Sequence, residues 1–477
     1  MIEFKLDKNK IKVVTSNLDE IREYFSVNDD TARFRFKGRA RFIVSPRIYC
    51  ITPTGLFEPG MFYDVLTYIK MQYPNEDIIV DNDITSLVKP VLKDVKLYNN
   101  LKYELRDYQQ EACKNAIAFG RGILKMGTGA GKTLTICSLL MSLYLQKKEK
   151  KESFKCLLIV PDLGLVSQTY TDFEQYNALF KFTKWTGKNK PDLTANVIIA
   201  NLGILQSRFL ENDWLKEVDA LVIDECHKVK KSNKISKMVQ QIKTAHKFGL
   251  TGTLPDNKPD EWNIKGKIGK VIYDKDSYEL RLEKYLTTVN VSIIDLKYND
   301  KPLYVSGTNN FKNELDFIYT NEFRNNLIKG MCSKFDNNSL ILVNHLAHGD
   351  ALYNKLSECE NKQVFFVKGE VEVETRDEIK KIMETNNNVI CIAMSSIFST
   401  GINIKNIHMI MFASGGKSFI RTIQSIGRGL RLHDNKNKLV IIDLADHLKY
   451  GERHSLKRKE IYNQEKINYK ITEIVEK

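Results

Sequence analysis

The stretch ILKMGTGAGKTLTICSLL, residues 123 to 140, constrains the fold more than any other part of this 477-residue chain. It contains an apolar strand, a glycine-rich loop that ends in Gly131, Lys132 and Thr133, and then a helix. Glycines let backbone N–H groups close around phosphates at a helix N-terminus, where the lysine reaches the terminal phosphates and the hydroxyl can coordinate Mg²⁺. The strict pattern has glycine where this chain has Met126, but the context favours a nucleotide site over a plain glycine turn. The residues expected to bind the nucleotide are Gly127, Thr128, Gly129, Ala130, Gly131, Lys132 and Thr133.

Two series of short apolar runs predict two tandem α/β domains. The first series, between residues 99 and 270, contains CLLIVP, NVIIA and ALVIDE, separated by segments of helix length. The second series consists of SLILVNH, QVFFVKG, VICIAM, IHMIMFA and LVIIDLA. Buried parallel strands have this continuous apolar character because helices cover both faces of their sheet. We expect the connection between the domains within residues 254 to 312, where prolines, asparagines and glycines accumulate.

Composition limits the class of protein. The chain has 73 Lys and Arg against 59 Asp and Glu, a formal charge of +14, which fits nucleic acid as a partner but also a generally lysine-rich proteome. Its eight cysteines include no C-x-x-C pair, so neither a zinc site nor a disulfide framework is indicated, and a reducing cytoplasm is expected. The N-terminus lacks the apolar core of a signal peptide, and no apolar run approaches the roughly 20 residues that span a bilayer.

The first 98 residues predict a small α+β domain with one concentrated basic strip. In ARFRFKGRARFIV, residues 32 to 44, cations alternate with apolar residues, as on a strand with one charged face. The alternative is an edge strand whose charges discourage pairing with another sheet. The cations of the strip that we expect to contact nucleic-acid phosphates are Arg33, Arg35, Lys37, Arg39 and Arg41.

The run ALVIDECH predicts a strand that ends in two carboxylates, Asp224 and Glu225. A phosphate-binding loop needs an acid at the end of a neighbouring strand to hold Mg²⁺, and a second carboxylate can activate the water that attacks the γ-phosphate. We therefore expect Asp224 to hold the metal and Glu225 to act as the base. Alone, two such carboxylates more often cap a helix; beside the glycine-rich loop they indicate ATP hydrolysis.

Together these motifs resemble those of the superfamily 2 helicases. Residues 127–133, DECH at 224–227 and TGT at 251–253 resemble motifs I, II and III, STGINIKN at 399–406 resembles motif V, and QSIGRGLR at 424–431 resembles motif VI. The resemblance implies an α/β fold of two tandem RecA-like parallel-sheet domains after a small α+β domain, with ATP and Mg²⁺ as cofactors. It also implies that motif VI reaches the γ-phosphate, where guanidinium groups stabilise the charge of phosphoryl transfer. The catalytic residues of motif VI would be Gln424, Arg428 and Arg431.

Further segments extend the resemblance. ELRDYQQEA resembles the adenine-reading segment of the family, VPDLGLVSQ resembles motif Ia, and ANLGILQS resembles motif Ib, with Asn201 where threonine is commoner. In the family, motifs Ia and Ib contact the nucleic-acid backbone. The additional nucleotide-contacting residues implied are Arg106, Gln109 and Gly401. The implied DNA contacts outside the basic strip are Gln168, Thr251, Thr253 and Thr400.

Two histidine-containing segments need separate interpretation. His345 and His348 have metal-like spacing, but no third ligand is nearby, which favours core or phosphate-contacting histidines over zinc. Near the C-terminus, His454, Arg458 and Tyr462 are each four residues apart and share one face of a helix. A docked surface helix is the simplest interpretation of that pattern.

A narrower resemblance, to the recombination and repair helicases of T-even phages, rests on VKGEVEVETRDEIKK at 367–381, motifs V and VI, the C-terminal helix and the basic N-terminal domain. It implies a phage-encoded, ATP-driven enzyme in the cytoplasm of the infected bacterium, monomeric in solution and without a membrane partner. Its substrates would be branched or duplex DNA, including Holliday junctions, D-loops and R-loops with their RNA–DNA hybrids. The implied regions are a DNA-binding accessory domain at 1–98, RecA-like domains at 99–270 and 271–450, and a basic helix at 451–477.

Three other functions remain open on sequence alone. An RNA helicase would have the same ATPase domains. However, motif II is DECH and not the DEAD sequence of the commonest class of RNA helicases, which disfavours this alternative without excluding it. The motor of a restriction system would need a nuclease, and about 45 residues after motif VI are fewer than the roughly 50 of a small domain. A passive nucleic-acid binder with a dead ATP site disagrees with the intact lysine, carboxylates and arginines of the motifs.

Overall fold

The computed structural model describes residues 1–28, 47–98, 100–208, 213–229, 234–255, 257–306, 309–368, 373–395, 406–414 and 438–476. The chain forms two compact units. The first contains Met1–Met126 and Gly131–Lys275, and the second contains Gly127–Ala130 and Asp276–Lys477. Among the helices within these ranges, none is both long enough and apolar enough to cross a membrane.

The N-terminal part of the first unit is a small α+β domain. Its elements are β1 (Ile2–Asp7), β2 (Lys10–Val14), α1 (Leu18–Tyr24), β3 (Ser26–Asn28), β4 (Arg47–Tyr49), β5 (Leu56–Phe57), α2 (Phe62–Gln72) and β6 (Ile78–Val80), with 3₁₀ turns at Pro59–Met61 and Asn82–Ser86. Four strands form one sheet in the order β5-β2-β1-β6, and β3 pairs with β4. Alternate residues of β1 point inward, so that Ile2 and Phe4 share a core with Val65 and Ile69 of α2.

A parallel sheet of seven strands builds the rest of the first unit. Its elements are α3 (Asp107–Phe119), β7 (Arg121–Met126), α4 (Lys132–Glu149), β8 (Cys156–Val160), α5 (Leu163–Gln175), β9 (Phe182–Trp185), β10 (Val197–Asn201), α6 (Leu202–Arg208), β11 (Ala220–Asp224), α7 (Lys234–Gln241), β12 (His246–Thr251), α8 (Lys258–Lys267) and β13 (Val271–Lys275), with 3₁₀ turns at Asp213–Lys216 and Cys226–Lys228. The strand order is β13-β7-β12-β11-β8-β10-β9. The C-terminal ends of parallel strands share one edge of a sheet. Since β7, β12 and β11 are neighbours, the segments that follow these three strands lie side by side.

The second unit contains another parallel sheet of seven strands. Its elements are α9 (Ser277–Leu282), β14 (Thr288–Lys297), α10 (Asn310–Thr320), α11 (Glu322–Ser333), β15 (Ser339–Val343), α12 (Leu346–Leu356), β16 (Gln363–Val367), α13 (Val373–Thr385), β17 (Val389–Met394), β18 (Met409–Phe412), β19 (Lys438–Asp446), α14 (Lys449–Gln464) and β20 (Tyr469–Val475). The strand order is β16-β17-β15-β18-β19-β14-β20. Two such sheets confirm the predicted tandem RecA-like architecture, and every apolar run of both series forms a strand.

Two strands of the second sheet were not predicted. The stretch 254–312, expected to hold the connection, contains β14, a ten-residue strand that pairs with β19 over most of its length. The strand β20 follows α14 and pairs with the other side of β14. The region after α14 is therefore part of the second sheet, in addition to the helix that the sequence predicted.

Buried ion pairs fix the helices of the second unit to β19. Arg458 of α14 donates from Nε to both carboxylate oxygens of Asp443 at 2.9 Å, and Tyr462 donates its hydroxyl hydrogen to Oδ2 of the same carboxylate. Arg324 of α11 donates to both oxygens of Asp446 and to the carbonyl of Ala413. The predicted face of α14 is thus buried, and a guanidinium–carboxylate pair docks it.

The small domain packs tightly against the large sheet of the first unit. Gly60 lies so close to α8 that a Cβ there would meet the carbonyl oxygen of Lys265 at 2.1 Å. Arg121, at the start of β7, is buried and donates to the carbonyl oxygens of Leu87, Lys267 and Ile268 at 2.6 to 2.8 Å. Backbone groups of the small domain and of the segment after motif III therefore share one buried cation.

Candidate active site

The glycine-rich loop uses its glycines for backbone conformation. Gly129 and Gly131 have φ angles of +86° and +73°, which residues with a Cβ adopt only at a cost. Gly131 precedes the 18-residue helix α4, and a Cβ there would lie 2.5 Å from Nε2 of Gln109. The loop therefore delivers the chain into the N-terminus of a long helix, and a helix N-terminus is a favourable site for an anion.

Lys132 and Glu225 are brought together at the edge of the first sheet. Lys132 is the first residue of α4, and Glu225 follows the last residue of β11. Nζ of Lys132 lies 3.5 Å from Oε1 of Glu225, with the side chains 13% and 29% exposed. Glu225 has a left-handed backbone, with φ and ψ both 51°, which is strained for a residue other than glycine. Strain of this kind is concentrated at functional sites.

Electrostatics keep Glu225 ionised. Burial raises the pKa of its carboxyl group, but the Lys132 ammonium and a hydrogen bond from His227 outweigh burial and hold the pKa at about 2. A carboxylate with so low a pKa is charged at neutral pH. It is a weak proton acceptor for as long as the lysine stays beside it.

His227 links the DECH segment to the TGT segment. Its Nδ1 lies 3.2 Å from Oε2 of Glu225 and 2.9 Å from Oγ1 of Thr251. The Thr251 hydroxyl donates its single hydrogen to the carbonyl of Thr253 at 2.7 Å. Nδ1 of His227 must therefore carry the proton and donate toward Thr251 and Glu225. Lys132, Glu225, His227 and Thr251 form one continuous polar chain.

The residues predicted to contact DNA in the first unit differ in exposure. Thr251 is fully buried and its hydroxyl is used inside the unit, which argues against the direct DNA contact expected for it. Thr253 and, on α5, Gln168 are half-buried, and Asn201 ends β10. Their contacts with DNA stay predictions.

The adenine-reading segment is also organised around the glycine-rich loop. Gln109 is buried on α3, where its Oε1 accepts the N–H of Arg106 at 3.0 Å and its Nε2 donates to the carbonyl of Gly131 at 3.4 Å. The guanidinium of Arg106 donates to the hydroxyl of Tyr108 at 3.4 Å. Both functional atoms of the Gln109 amide thus have partners within the unit.

Oxygen ligands suited to Mg²⁺ follow the neighbouring strands. Thr133 supplies a hydroxyl, and Asp224 supplies a carboxylate whose Oδ1 accepts the N–H of Glu225 at 3.0 Å. Hard oxygen donors of this kind fit Mg²⁺, which takes few protein ligands and completes its shell with water and phosphate oxygens. Within the described ranges, no cluster of three or more His, Cys, Asp or Glu could hold a metal ion.

His348 in the second unit is a core residue. It is fully buried, its Nδ1 lies 3.3 Å from Oγ of Ser414, and its ring stacks on Tyr319 at 4.6 Å. His345 packs against the same tyrosine ring at 5.4 Å. This packing agrees with the core interpretation of the two histidines.

Several predicted site residues lie outside the described residues. They are the basic strip Arg33, Arg35, Lys37, Arg39 and Arg41, the motif V residues Thr400 and Gly401, and the motif VI residues Gln424, Arg428 and Arg431. Their assignments rest on the sequence.

Comparisons with known proteins agree with this geometry. Residues 102–256 match the family described as the res subunit of type III restriction enzymes, and residues 322–433 match the conserved C-terminal helicase domain. The chain is 29% identical to the ATP-dependent DNA helicase uvsW of Enterobacteria phage T4, over 96% of each protein. It is also 29% identical to the DNA 3'-5' translocase XPB2 of Sulfurisphaera tokodaii, over 50% of this chain and 47% of that protein.

A solved structure gives the same fold. The ATP-dependent type ISP restriction-modification enzyme LlaBIII bound to DNA matches with a TM-score of 0.60 at 15% identity, over 84% of this chain and 34% of that one. At this identity the match shows the fold alone. The two helicase family matches and the uvsW relative confirm the resemblance predicted from the motifs. The chain belongs to the superfamily 2 helicases and is an ATP-dependent DNA helicase of the uvsW type.

Proposed function

We propose that this helicase translocates on double-stranded DNA and remodels branched DNA in phage recombination, repair and replication. Its reactions would be branch migration of Holliday junctions, fork regression, unwinding of D-loops and R-loops, and strand annealing. Support comes from the similarity to the T4 helicase over almost the whole chain and from a relative named as a DNA translocase. We also propose that it is phage-encoded, as its T4 relative is, and that it acts as a monomer in the cytoplasm of the infected host.

The polar chain Lys132–Glu225–His227–Thr251 is the observation that carries the ATPase part of the proposal. A nucleotide phosphate would compete with Glu225 for the Lys132 ammonium, so ATP binding would draw the ammonium away from the carboxylate. Loss of that cation would raise the pKa of Glu225 and make it a better base toward the attacking water. His227 would then report this change to Thr251 in motif III.

The remaining ATP contacts follow from the motifs. Backbone N–H groups of residues 127–133 would surround the phosphates, and Gln109 would read the adenine after releasing its present partners. Thr133 and Asp224 would hold Mg²⁺, which when bound neutralises charge on the phosphate oxygens. On the basis of motif VI, Arg428 and Arg431 would stabilise the same phosphate charge, and Gln424 would align the two arginines. Gly401 of motif V would lie close to the nucleotide.

The DNA contacts are proposed from the sequence motifs. Thr253, Gln168 and Thr400 would contact the backbone of a strand, and the basic strip would bind phosphates of a duplex arm. Five phosphate contacts by the strip correspond to a slope of about −4.5 in log affinity against log salt for duplex DNA. Glutamine at all five positions should make the salt dependence of DNA affinity weaker. An unchanged slope in a folded variant would show that the strip is a charged edge strand that only discourages pairing with another sheet.

Branch migration on a synthetic four-way junction tests this function directly. The junction, a forked duplex and an RNA–DNA hybrid of matched length are each incubated with protein and ATP, and product formation is followed on native gels. We expect ATP-dependent conversion of the junction to be at least as fast as that of the fork. No action on the junction would remove the proposal.

Two alternative functions, RNA helicase and restriction motor, would use the same ATPase domains. An RNA helicase would be indicated if RNA stimulated ATP turnover far more than duplex DNA. A restriction motor is suggested by the family match at 102–256 and by the likeness to a restriction-modification enzyme, which concerns the fold. DNA cleavage in the presence of ATP would favour that alternative.

A further inference from the structure

A loop of the second unit and the first turn of α10, which follows it, present apolar side chains to solvent outside all the helicase motifs. Leu303 is 82% exposed and Val305 is 50% exposed, while Tyr304 and Phe311 are 36% and 37% exposed. We call these four residues the Leu303 patch. Single exposed apolar residues are ordinary, but a contiguous group of them marks an interaction surface.

The loop is braced by its own hydrogen bonds. The side-chain amide of Asn310 accepts the N–H of Val305 at 2.7 Å and donates to the Val305 carbonyl at 3.0 Å. Tyr304 donates its hydroxyl to the buried carboxylate of Glu314 at 2.7 Å. Leu303 is therefore exposed on a braced loop, which fits a preformed contact.

Cations line the same surface. Lys449 places Nζ 5.4 Å from the centre of the Tyr304 ring, and its N–H donates to the Tyr304 hydroxyl at 3.3 Å. Arg453 and Lys457 follow Lys449 at intervals of four residues on α14, so they share its face, and both are exposed. Glu452 and Glu460 are exposed on the adjacent row. Aromatic rings next to cations are the groups with which proteins bind single-stranded nucleic acid.

The position of the patch in the sheet points to DNA. The loop follows β14, so it lies at the edge of the sheet that carries the C-terminal ends of β15 and β17, and motif V follows β17 in the sequence. The order β15-β18-β19-β14 separates β14 from β15 by three strand spacings, or about 14 Å. A nucleic acid held at this edge of the sheet beside β15 would have the patch within the width of a duplex.

We propose that the Leu303 patch binds unpaired bases of DNA at a branch, with Tyr304 and Phe311 contacting base faces and Leu303 and Val305 packing against the opened step. When apolar side chains insert beside a base step, the contacts that they gain offset the free-energy cost of unstacking the bases. The inference rests on the proposed function, because a branched substrate supplies unpaired bases beside a duplex. The row Lys449, Arg453 and Lys457 would contact the phosphates of the same strand.

The test uses the full chain with Leu303→Ser and Val305→Ser combined. The control is Leu179→Ser in the first unit, at a leucine that is 56% exposed and precedes the edge strand β9. Fluorescence anisotropy without ATP measures affinity for a fork with single-stranded arms and for a blunt duplex, and ATP turnover is measured on both. We expect about tenfold weaker binding of the fork, the loss of about 1.4 kcal/mol of base contact, with duplex binding and duplex-stimulated turnover within twofold of wild type.

A second variant, Arg453→Gln with Lys457→Gln, should lower the salt slope of fork binding by about 1.4 for two single-strand phosphate contacts. Fork affinity unchanged in the first variant would overturn the inference, and so would an equal loss on the blunt duplex. Normal DNA binding with altered self-association in analytical ultracentrifugation would assign the patch to a protein surface and also overturn it. A wild-type protein inactive on junctions, with selective loss of fork binding in the variant, would refute the proposed function and leave the patch supported.

Discussion

Ion pairs in the two units differ in length, burial and number of contacts. In the first unit, Nζ of Lys132 lies 3.5 Å from Glu225, and the two side chains are 13% and 29% exposed. In the second unit, Arg324 and Arg458 lie 2.8 and 2.9 Å from Asp446 and Asp443, and no member of either pair is more than 2% exposed. The first pair is longer and only partly buried, whereas the other two are short, multiply bonded and fully buried.

The difference separates pairs that can exchange partners from pairs that hold helices in place. Removing one member of a buried pair leaves an uncompensated charge and costs several kcal/mol. A partly exposed pair contributes about 1 kcal/mol or less, so a phosphate group can displace the carboxylate from Lys132. We infer that in the first unit Lys132 can exchange its carboxylate partner for an ATP phosphate. In the second unit the ion pairs hold α11 and α14 against β19.

The largest effect should come from replacing Lys132 with methionine. The variant loses the cation that would move from Glu225 to the phosphates, so ATP turnover should fall by on the order of 10²- to 10³-fold. The free energy of unfolding should change by no more than about 1 kcal/mol, because the pair is open. Coupled-enzyme ATPase assays and urea denaturation measure the two quantities. A variant that unfolds readily would show that the pair is structural after all.

The opposite result is expected for Asp446→Asn. Arg324 would stay buried without its carboxylate, and the second unit should lose about 3 to 5 kcal/mol of unfolding free energy. The matched control combines Arg324→Met with Asp446→Leu, which removes both charges and should cost less than the single change. Urea denaturation followed by circular dichroism measures both. A single variant as stable as wild type would contradict the comparison.

A smaller effect is expected at His227. Alanine there removes the donor between Glu225 and Thr251, so DNA stimulation of ATP turnover should fall about tenfold, the size of one lost hydrogen bond to a charged group. Asparagine, whose Nδ2 can replace Nδ1 as a donor, should retain most of the stimulation. Equal stimulation in the alanine and asparagine variants would show that the link between motifs II and III is not used.

The smallest effect is the pH dependence of stability at Glu225. Its pKa of about 2 lies below the ordinary value of 4.5, so the ionised carboxylate stabilises the fold above about pH 4.5. This contribution is lost as the pH falls through 2. The difference in unfolding free energy between wild type and Glu225→Gln should be about 1 kcal/mol or less at pH 7 and should shrink toward pH 2. A difference in unfolding free energy that grew on acidification would show that the ionised Glu225 carboxylate destabilises the fold.

The sequence predicted the parallel strands well, because they depend on local patterns. Each apolar run formed a strand, and the glycine-rich loop precedes α4 as its composition requires. The strand β20 was missed because its residues are mostly exposed and it becomes a strand only by pairing with β14. The local sequence pattern of β20 gives no information about its pairing partner β14.

The roles of individual polar residues depended on contacts distant in the chain. Arg324 pairs with Asp446, 122 residues away, and nothing in the local sequence indicates which carboxylate it meets. Thr251 belongs to a motif expected to touch DNA, yet its burial and its bond to His227 appear only in the folded unit. The backbone strain at Glu225 is likewise a property of the fold.

Glu225→Gln tests the central claim most directly. The substitution keeps the size of the side chain and removes the base, so the variant should bind ATP and junction DNA with wild-type affinity. Its junction-stimulated ATP turnover should fall at least about 10²-fold, the contribution of a positioned general base. Normal DNA-stimulated hydrolysis by a folded Glu225→Gln protein would contradict the account.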